Sequence, residues 1–358
     1  MEFAELRTEM MHGVSVIICC HNSAARLAAT LGYLRCQEVS PSIPWEIILV
    51  DNASTDGTAD VALNNWPNES AATLRVVNEP QLGLSHARNR GFSEAKYEIV
   101  SFIDDDNWVC PNWIQLVSEI MSAHSNIGAC GGYNNAVCEI DPPWWFDLFK
   151  SSYAVGSQGE SAGDITSTRG RVWGAGLNIR KVAWEHLLTR GFRPLLADRT
   201  GDAQTSGGDT ELCFALRLAG WKLWYDPRLQ LRHFLPAGRL EWQNLRRLHR
   251  GFGAASVWLD LYVAALEGPP KSLVKRLKRA RPWKILAVVM RLFWHDVKLL
   301  RAFNDSSEGN PDILQVELRI GRLLELVQGR KKYALTFSDS GAERVSTMKV
   351  GVRQALGE

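Results

Sequence analysis

Short apolar runs alternate with helical stretches along the N-terminal part of the chain. The runs are rich in β-branched residues and end in polar side chains; they lie at Val14–Cys20, Trp45–Val50, Leu74–Val77 and Ile99–Ile103. Helical stretches begin at Ala24, after Gly57 and after Gly83. Continuous apolar strands separated by helices predict a parallel sheet covered on both faces. Because each strand ends in polar residues, we expect the following loops to meet at the rim where open α/β sheets bind ligands.

The pattern becomes less regular after Pro111 and mostly helical after Trp242. Residues 155–171 are rich in Gly, Ser and Thr, which is typical of loops. The small residues of Trp173–Ile179 predict a strand whose backbone is closely approached by a ligand or by another segment of the chain. We therefore place a domain boundary near residue 240, with an α/β domain over 12–240 and a mostly helical C-terminal region over 241–358.

Composition and charge place the chain among ordinary globular proteins. Its 358 residues are 46% hydrophobic and 22% charged, and a net charge of +2 gives no reason to expect nucleic acid as a partner. The seven cysteines form no C-x-x-C pair, which favours a reducing, cytoplasmic compartment without structural zinc. No signal-peptide core and no apolar run of roughly 20 residues is present, so the sequence predicts no membrane-spanning segment.

Three consecutive aspartates, Asp104, Asp105 and Asp106, follow the run that ends at Ile103. Adjacent like charges at the carboxyl end of a strand are costly unless a cation neutralises them. Mg²⁺ or Mn²⁺, bound by one or two carboxylates and shared with a substrate phosphate, is such a cation. The alternative is a solvated acidic turn, because Asp is a common turn residue.

A second acidic motif, Gly207-Gly208-Asp209-Thr210-Glu211, opens a helix predicted to run to Gly220. Asp209 can be read as a helix N-cap with acidic residues in the first turn. It can equally be a carboxylate that two glycines bring to a reacting hydroxyl, where it would act as general base.

Five segments together resemble the family 2 glycosyltransferases in content and order. They are Val14–Ile18 with His21-Asn22, Ile48–Thr58, Ala87–Gly91, Phe102–Asp106 and Gly207–Glu211. The resemblance covers about residues 12–240. It implies the α/β fold called GT-A, with a mostly parallel central sheet flanked by helices, here followed by a C-terminal helical extension.

The resemblance also implies an activity and a set of site residues. The activity is inverting, metal-dependent transfer of a sugar from a nucleotide diphosphate sugar, of hexosyltransferase type, with a UDP-sugar favoured and Mn²⁺ or Mg²⁺ as cofactor. Asp209 matches the catalytic base and Asp106 the metal ligand of the family. The implied nucleotide-sugar-binding residues are His21, Asn22, Asp51, Arg88, Asn89, Asp104 and Asp105.

Three parts of the site carry alternatives. The family often has Glu-Asp where this chain has Gly208-Asp209, so Glu211 is a second candidate base. His233 falls where some relatives supply a metal ligand, although a lone histidine is commonly structural. Acceptor-binding candidates are Trp145, Trp173 and Gly174, against the alternative that the large aromatic residues pack in the core.

Residues 268–295 hold a local excess of positive charge. Eight Lys and Arg residues occur there with no Asp or Glu, and the segment runs into a Trp-bearing apolar helix. This composition is typical of a helix that lies on a membrane surface. The alternative is a helix that packs on the α/β domain and exposes a solvated basic face.

We therefore expect an enzyme of surface polysaccharide synthesis that acts on a glycan or lipid-linked acceptor, in the cytoplasm or peripherally at the cytoplasmic face of the membrane. One alternative is a sugar nucleotidyltransferase, but His21–Ala24 lacks the Gly-rich basic loop that such an enzyme calls for. The other is a binding or scaffold protein that has lost catalysis. Retention of Asp106, Asp209 and Glu211 argues against that loss.

Overall fold

A computed structural model describes residues 11–67, 69–196, 207–268, 272, 280–295 and 308–329. The strands are β1 (Met11–Cys20), β2 (Trp45–Asp51), β3 (Thr73–Asn78), β4 (Tyr97–Phe102), β5 (Asn107–Val109), β6 (Ile127–Cys138), β7 (Gly163–Asp164), β8 (Asn178–Arg180) and β9 (Lys222–Leu235). The helices are α1 (Ala24–Arg35), α2 (Thr58–Asn64), α3 (Leu84–Glu94), α4 (Trp113–Ala123), α5 (Phe146–Phe149), α6 (Lys181–Thr189), α7 (Gly208–Leu218), α8 (Trp242–Glu267), α9 (Arg281–His295) and α10 (Pro311–Gln328). Short 3-10 helices cover Lys150–Tyr153 and Ala237–Leu240.

The strands form one sheet in the order β3-β2-β1-β4-β8-β6-β9-β5, and β7 pairs with β9. Strands β3, β2, β1 and β4 are parallel, as the alternation of strands and helices predicts. The other half is mixed, because β8 runs antiparallel to β4 and β6 while β6 and β9 are parallel. The carboxyl ends of β1, β2 and β4 therefore lie side by side at one rim.

Helices cover both faces of this sheet, so the predicted α/β architecture is confirmed. Buried residues on one face pack with α3, α6 and α7, and those on the other pack with α1, α2 and α4. The prediction of a strand over residues 173–179 is wrong for most of that span. Only Asn178–Arg180 is extended, and Trp173–Leu177 forms an irregular turn beside α7 instead.

The C-terminal region is helical in its described part, as expected. Helices α8 and α10 cross so closely at Gly253 and Gly321 that an added Cβ would lie 1.9 Å from a backbone oxygen of the other helix. Beside this crossing the buried carboxylate of Glu317 binds Arg246 and Arg250. No helix in the described segments is long and apolar enough to cross a bilayer.

Candidate functional site

The loops after β1 and β2 are joined by hydrogen bonds at the carboxyl-end rim of the sheet. The His21 ring bonds the Asn52 carbonyl through Nδ1 at 2.8 Å, and Asn22 Oδ1 accepts a hydrogen bond from the Thr55 amide at 2.9 Å. Asp51 accepts a bond from the Ser54 amide at 3.1 Å and stays half-buried at the end of β2. These contacts place His21, Asn22 and Asp51 at one opening, where the resemblance puts the nucleoside.

Asn52, which the sequence did not single out, organises this opening. Its amide nitrogen donates to the carbonyls of Glu79 and Gln81, and its amide oxygen accepts from the Gly83 amide at 2.8 Å. Gly83 precedes the first residue of α3, the helix that carries Arg88 and Asn89. One buried side chain therefore fixes the start of α3 relative to the end of β2.

The three aspartates diverge rather than face one ligand. Asp105 points beneath α1, where it binds Arg26 at 2.7 and 2.9 Å and accepts a bond from the Ser23 hydroxyl. Burial raises the pKa of Asp105, and Arg26 opposes that rise. The expectation that Asp105 binds the nucleotide sugar is therefore corrected, since its carboxylate is enclosed and already paired. Asp105 and Asp106 lie in a turn, in which the Asn107 amide donates to the Asp104 carbonyl oxygen at 3.0 Å, and this turn directs Asp105 away from its two neighbours.

Asp106 lies beside His233 and Arg239. Its Oδ1 is 3.7 Å from His233 Nε2, and its Oδ2 is 3.4 Å from Arg239 Nη1. Burial would raise the pKa of Asp106, but His233 and Arg239 together hold that pKa down to about 2. The side chain is therefore a carboxylate at neutral pH.

The donor set fits a divalent cation. His233 Nδ1 lies 2.9 Å from the Tyr153 carbonyl oxygen, which can only accept, so Nδ1 carries a proton and Nε2 is the ring nitrogen turned toward Asp106. Within the described chain no cluster of three or more His, Cys, Asp or Glu side chains is placed to hold a metal. One carboxylate and one imidazole suit an ion that takes its remaining ligands from water and a diphosphate.

Arg239 is a site residue that sequence reasoning missed. Its Nη1 is 3.2 Å from His233 Nε2 and 3.4 Å from Asp106 Oδ2, so the guanidinium stands between the two candidate ligands. It reaches them from the 3-10 helix after β9, where Asn244 binds its carbonyl oxygen. No motif marks this position, because its partner Asp106 is 133 residues away in the chain.

Asp104 lies near the Asp106–His233 pair, and Arg88 lies near the candidate base Asp209. Burial and the neighbouring charge of Asp106 raise the pKa of Asp104 to about 6, and Arg88 and His233 act against that rise. The Arg88 guanidinium lies over the Phe102 ring, and its Nη2 would be 3.2 Å from a Cβ built on Gly174. Arg88 therefore lies beside the loop that contacts Asp209, and its charge also acts on Asp104.

Asp209 lies in the first turn of α7, and its side chain does not cap the helix. The N-cap is Gly207, whose φ of 119° lets the chain turn sharply into α7. Asp209 Oδ2 accepts a hydrogen bond from the Gly174 amide at 2.9 Å, and its Oδ1 accepts one from the neighbouring Thr210 amide at 2.8 Å. A carboxylate held beside Arg88 and a half-buried loop is placed to take a proton from a bound hydroxyl.

Glu211 has a structural role, and its use as a second candidate base is corrected. It is 1% exposed and accepts bonds from the amides of Leu195 and Leu196 and from the Tyr262 hydroxyl, at 2.7 to 3.0 Å. Tyr262 belongs to α8, so Glu211 joins α7, the segment before it and the C-terminal region. A buried carboxylate that accepts three donors is not available to a substrate proton.

We expect Glu211→Gln to lower the free energy of unfolding by about 2 kcal/mol, because an amide nitrogen then faces groups that only donate. Urea unfolding of the full chain measures this, with Glu185→Gln on the exposed side of α6 as the matched control. A Glu211→Gln protein of unchanged stability that had lost sugar transfer would contradict the structural role.

Of the proposed acceptor residues, Trp173 and Gly174 lie at the site and Trp145 does not. Trp145 is 0% exposed and donates from Nε1 to Glu308, so it offers no ring face to a sugar. Packing against Trp242 and Phe149 explains this position, and the acceptor prediction for Trp145 is corrected. Trp173 is half-buried, with Arg169 4.4 Å from its ring.

Comparisons with known proteins place the N-terminal half in a family. Residues 15–187 match the family model "Glycosyl transferase family 2". The chain is 26% identical over 117 residues to the "Putative glycosyltransferase EpsH" of Bacillus subtilis, and these cover 33% of each protein. It is 31% identical over 120 residues to the "Cholesterol galactosyltransferase" of Borreliella burgdorferi, or 34% of this chain and 32% of that protein. The matches thus span about a third of these relatives.

A solved structure matches almost the whole chain. The complex of S. aureus TarS 1-349 with UDP-GlcNAc is 15% identical, with a TM-score of 0.50 over 96% of this chain and 92% of that one. Residues 15–187 belong to glycosyltransferase family 2, and the fold is of the GT-A type, which confirms both predictions. Asp209 and His233 lie outside the matched residues, so their roles stay predictions.

Proposed function

We propose that this chain is an inverting, metal-dependent glycosyltransferase. It moves a sugar from a nucleotide diphosphate sugar, with a UDP-sugar favoured, to a hydroxyl of a glycan or lipid-linked acceptor in surface polysaccharide synthesis. The observation that carries the proposal is the position of Arg88, whose charge acts on Asp104 and whose guanidinium lies beside Gly174 and Asp209. We infer that a donor pocket and a general base share one cleft.

On the donor side, Asp51 and the loop of His21 and Asn22 bind the nucleotide, Arg88 supplies the positive charge that an anionic diphosphate needs, and Asn89 beside it can donate a hydrogen bond. Asp106 and His233 would hold Mn²⁺ or Mg²⁺, which when bound supplies Lewis-acid stabilisation of the departing diphosphate. The neighbour of similar fold was solved with UDP-GlcNAc, which is consistent with a UDP-sugar donor.

On the acceptor side, Asp209 removes the proton of the attacking hydroxyl. The hydroxyl oxygen then bonds to the anomeric carbon while the bond from that carbon to the diphosphate oxygen breaks, and the electron pair leaves with the nucleotide. Holding both substrates in line in one cleft supplies much of the rate enhancement. Attack from the face opposite the leaving group inverts the anomeric centre.

We also propose a cytoplasmic position at the membrane face for this enzyme. The seven cysteines, all within the described residues, form no disulfide bond, which is consistent with a reducing compartment. A lipid-linked acceptor would need the cleft close to a bilayer.

The experiment is an assay of the full chain with a panel of nucleotide sugars, with Mn²⁺, Mg²⁺ or a chelator. We expect one nucleotide family to raise the melting temperature only when metal is present, with slow metal-dependent release of the free nucleoside diphosphate. Nuclear magnetic resonance of the first product gives the anomeric configuration. Stabilisation without any turnover would support a binding protein, and release of pyrophosphate from a nucleoside triphosphate would support a nucleotidyltransferase.

A further inference from the structure

Helix α9 has two apolar faces, and only one of them packs against the other residues that the structure describes. One face, with Ile285, Val288 and Leu292, packs into a cluster with Trp258 and Leu326 from α8 and α10. The face turned away from that cluster is also apolar. Its five large side chains are 38–73% exposed; they are Trp283, Leu286, Val289, Met290 and Phe293. A helix at a protein surface normally buries one apolar face and turns a polar face outward.

The exposed side chains form one stripe rather than scattered positions. Trp283, Leu286, Met290 and Phe293 follow each other at helical steps of three and four residues, and such positions are neighbours on a helix surface. The stripe plays no part in holding α9 to the protein, because the opposite face does that. A contiguous exposed apolar patch marks an interaction site.

The positive charge of residues 268–295 favours a negatively charged partner for the exposed stripe. Eight Lys and Arg residues and no acidic residue lie between Gly268 and His295. Two are used inside the protein, since Arg281 donates to the Leu326 carbonyl and Lys284 binds Asp260. Arg291 is exposed on α9. The other five lie in the sequence just before the helix, outside the described residues; they are Lys271, Lys275, Arg276, Lys278 and Arg279.

We propose that the outward face of α9 is a docking surface for a bilayer that contains anionic phospholipid. The apolar stripe enters the boundary between headgroups and acyl chains, Trp283 lies at the headgroup level, and the basic residues attract anionic lipid. A second copy of the chain is a poorer partner, because it would bring a segment of the same positive charge against this one. This surface deepens the membrane-face position proposed above by naming the surface that makes the contact, and it does not depend on the transferase activity.

The test is co-sedimentation of the full chain with vesicles of phosphatidylcholine alone and of phosphatidylcholine mixed with phosphatidylglycerol. We expect binding to the mixed vesicles that weakens as salt is raised, and little binding to phosphatidylcholine alone. The double variant Met290→Ser with Phe293→Ser should bind at least about tenfold less, since both exposed apolar side chains are lost. The matched control is Leu63→Ser, which removes an apolar side chain that is 56% exposed on α2.

Several results would overturn the proposal. One is equal binding by the wild type and the double variant, and another is equal binding to the two vesicle types. A dimer in light scattering that the double variant abolishes, without vesicle binding by the wild type, would assign the stripe to self-association. If the double variant unfolds, as circular dichroism would show, Trp283→Ser replaces it, because that side chain is also exposed. Nucleotide binding, measured in parallel, reports on the transferase proposal separately.

Discussion

Asp209→Asn is expected to lower the rate of sugar transfer by about 10²- to 10⁴-fold, the usual contribution of a general base. The asparagine oxygen can keep the hydrogen bond from the Gly174 amide that holds the loop, while the bond from the Thr210 amide within the same helix turn is lost. The amide cannot take the proton of the acceptor hydroxyl. Nucleotide-dependent stabilisation should therefore stay at the wild-type level while transfer is lost, and the assay of the proposed function measures both.

Two controls separate this effect from a general loss of structure. Asp141→Asn changes an exposed aspartate outside the site and should leave the rate unchanged. Glu211→Gln, which changes a buried structural carboxylate of the same helix turn, should act on stability. If Asp209→Asn transferred sugar at the wild-type rate, the base would lie elsewhere and the assignment of the acceptor side would fail.

The pair of Asp209 and Glu211 shows what the sequence can and cannot distinguish. Both are acidic residues in the first turn of a helix, a pattern that predicts favourable contact with the helix dipole for each. Their roles differ because Tyr262 and the amides of Leu195 and Leu196 surround Glu211, while Asp209 accepts hydrogen bonds from the Gly174 amide of an irregular loop and from the neighbouring Thr210 amide. Those partners come from distant segments, so no local pattern identifies them.

For the three aspartates after β4, the sequence predicts their location but not the direction in which each carboxylate points. The sequence predicts correctly that they follow a strand and lie at the rim, because apolar runs and their polar ends mark the strands. Which carboxylate faces the cleft depends on the turn at residues 104–107 and on Arg26 of α1. Asp105 therefore forms an internal ion pair with Arg26 and is not available to a ligand. Arg239 contacts Asp106 only because tertiary packing brings these distant residues together.

The second half of the sheet was also harder to predict than the first. Strands β6 and β9 are 12 and 14 residues long, yet glycine and polar residues interrupt their apolar pattern. Packing explains the interruption at Gly131 and Gly132, since a Cβ on Gly132 would lie 1.8 Å from the Leu229 carbonyl oxygen of β9. The close approach of the two strands thus requires glycine at a position where an apolar side chain would have indicated a strand.

Asp106→Ala and Arg239→Gln are expected to change the affinity for Mn²⁺ in opposite directions. Loss of the outer partners of a metal ligand alone weakens binding by about 10- to 100-fold, so loss of the carboxylate itself should exceed about 100-fold. Arg239 competes with a metal for the same place, because its Nη1 lies within 3.4 Å of both Asp106 Oδ2 and His233 Nε2. Its removal should tighten Mn²⁺ binding to the nucleotide-free protein by several-fold.

Electron paramagnetic resonance of free Mn²⁺ in a titration measures both affinities without any turnover. Arg35→Gln, on an exposed position of α1, is the control for the loss of one positive charge. Weaker Mn²⁺ binding in Arg239→Gln would mean that the guanidinium supports the metal site rather than competing for it. Unchanged Mn²⁺ binding in Asp106→Ala would remove Asp106 from the metal site, and the metal-dependent form of the proposed reaction would then lack its main protein ligand.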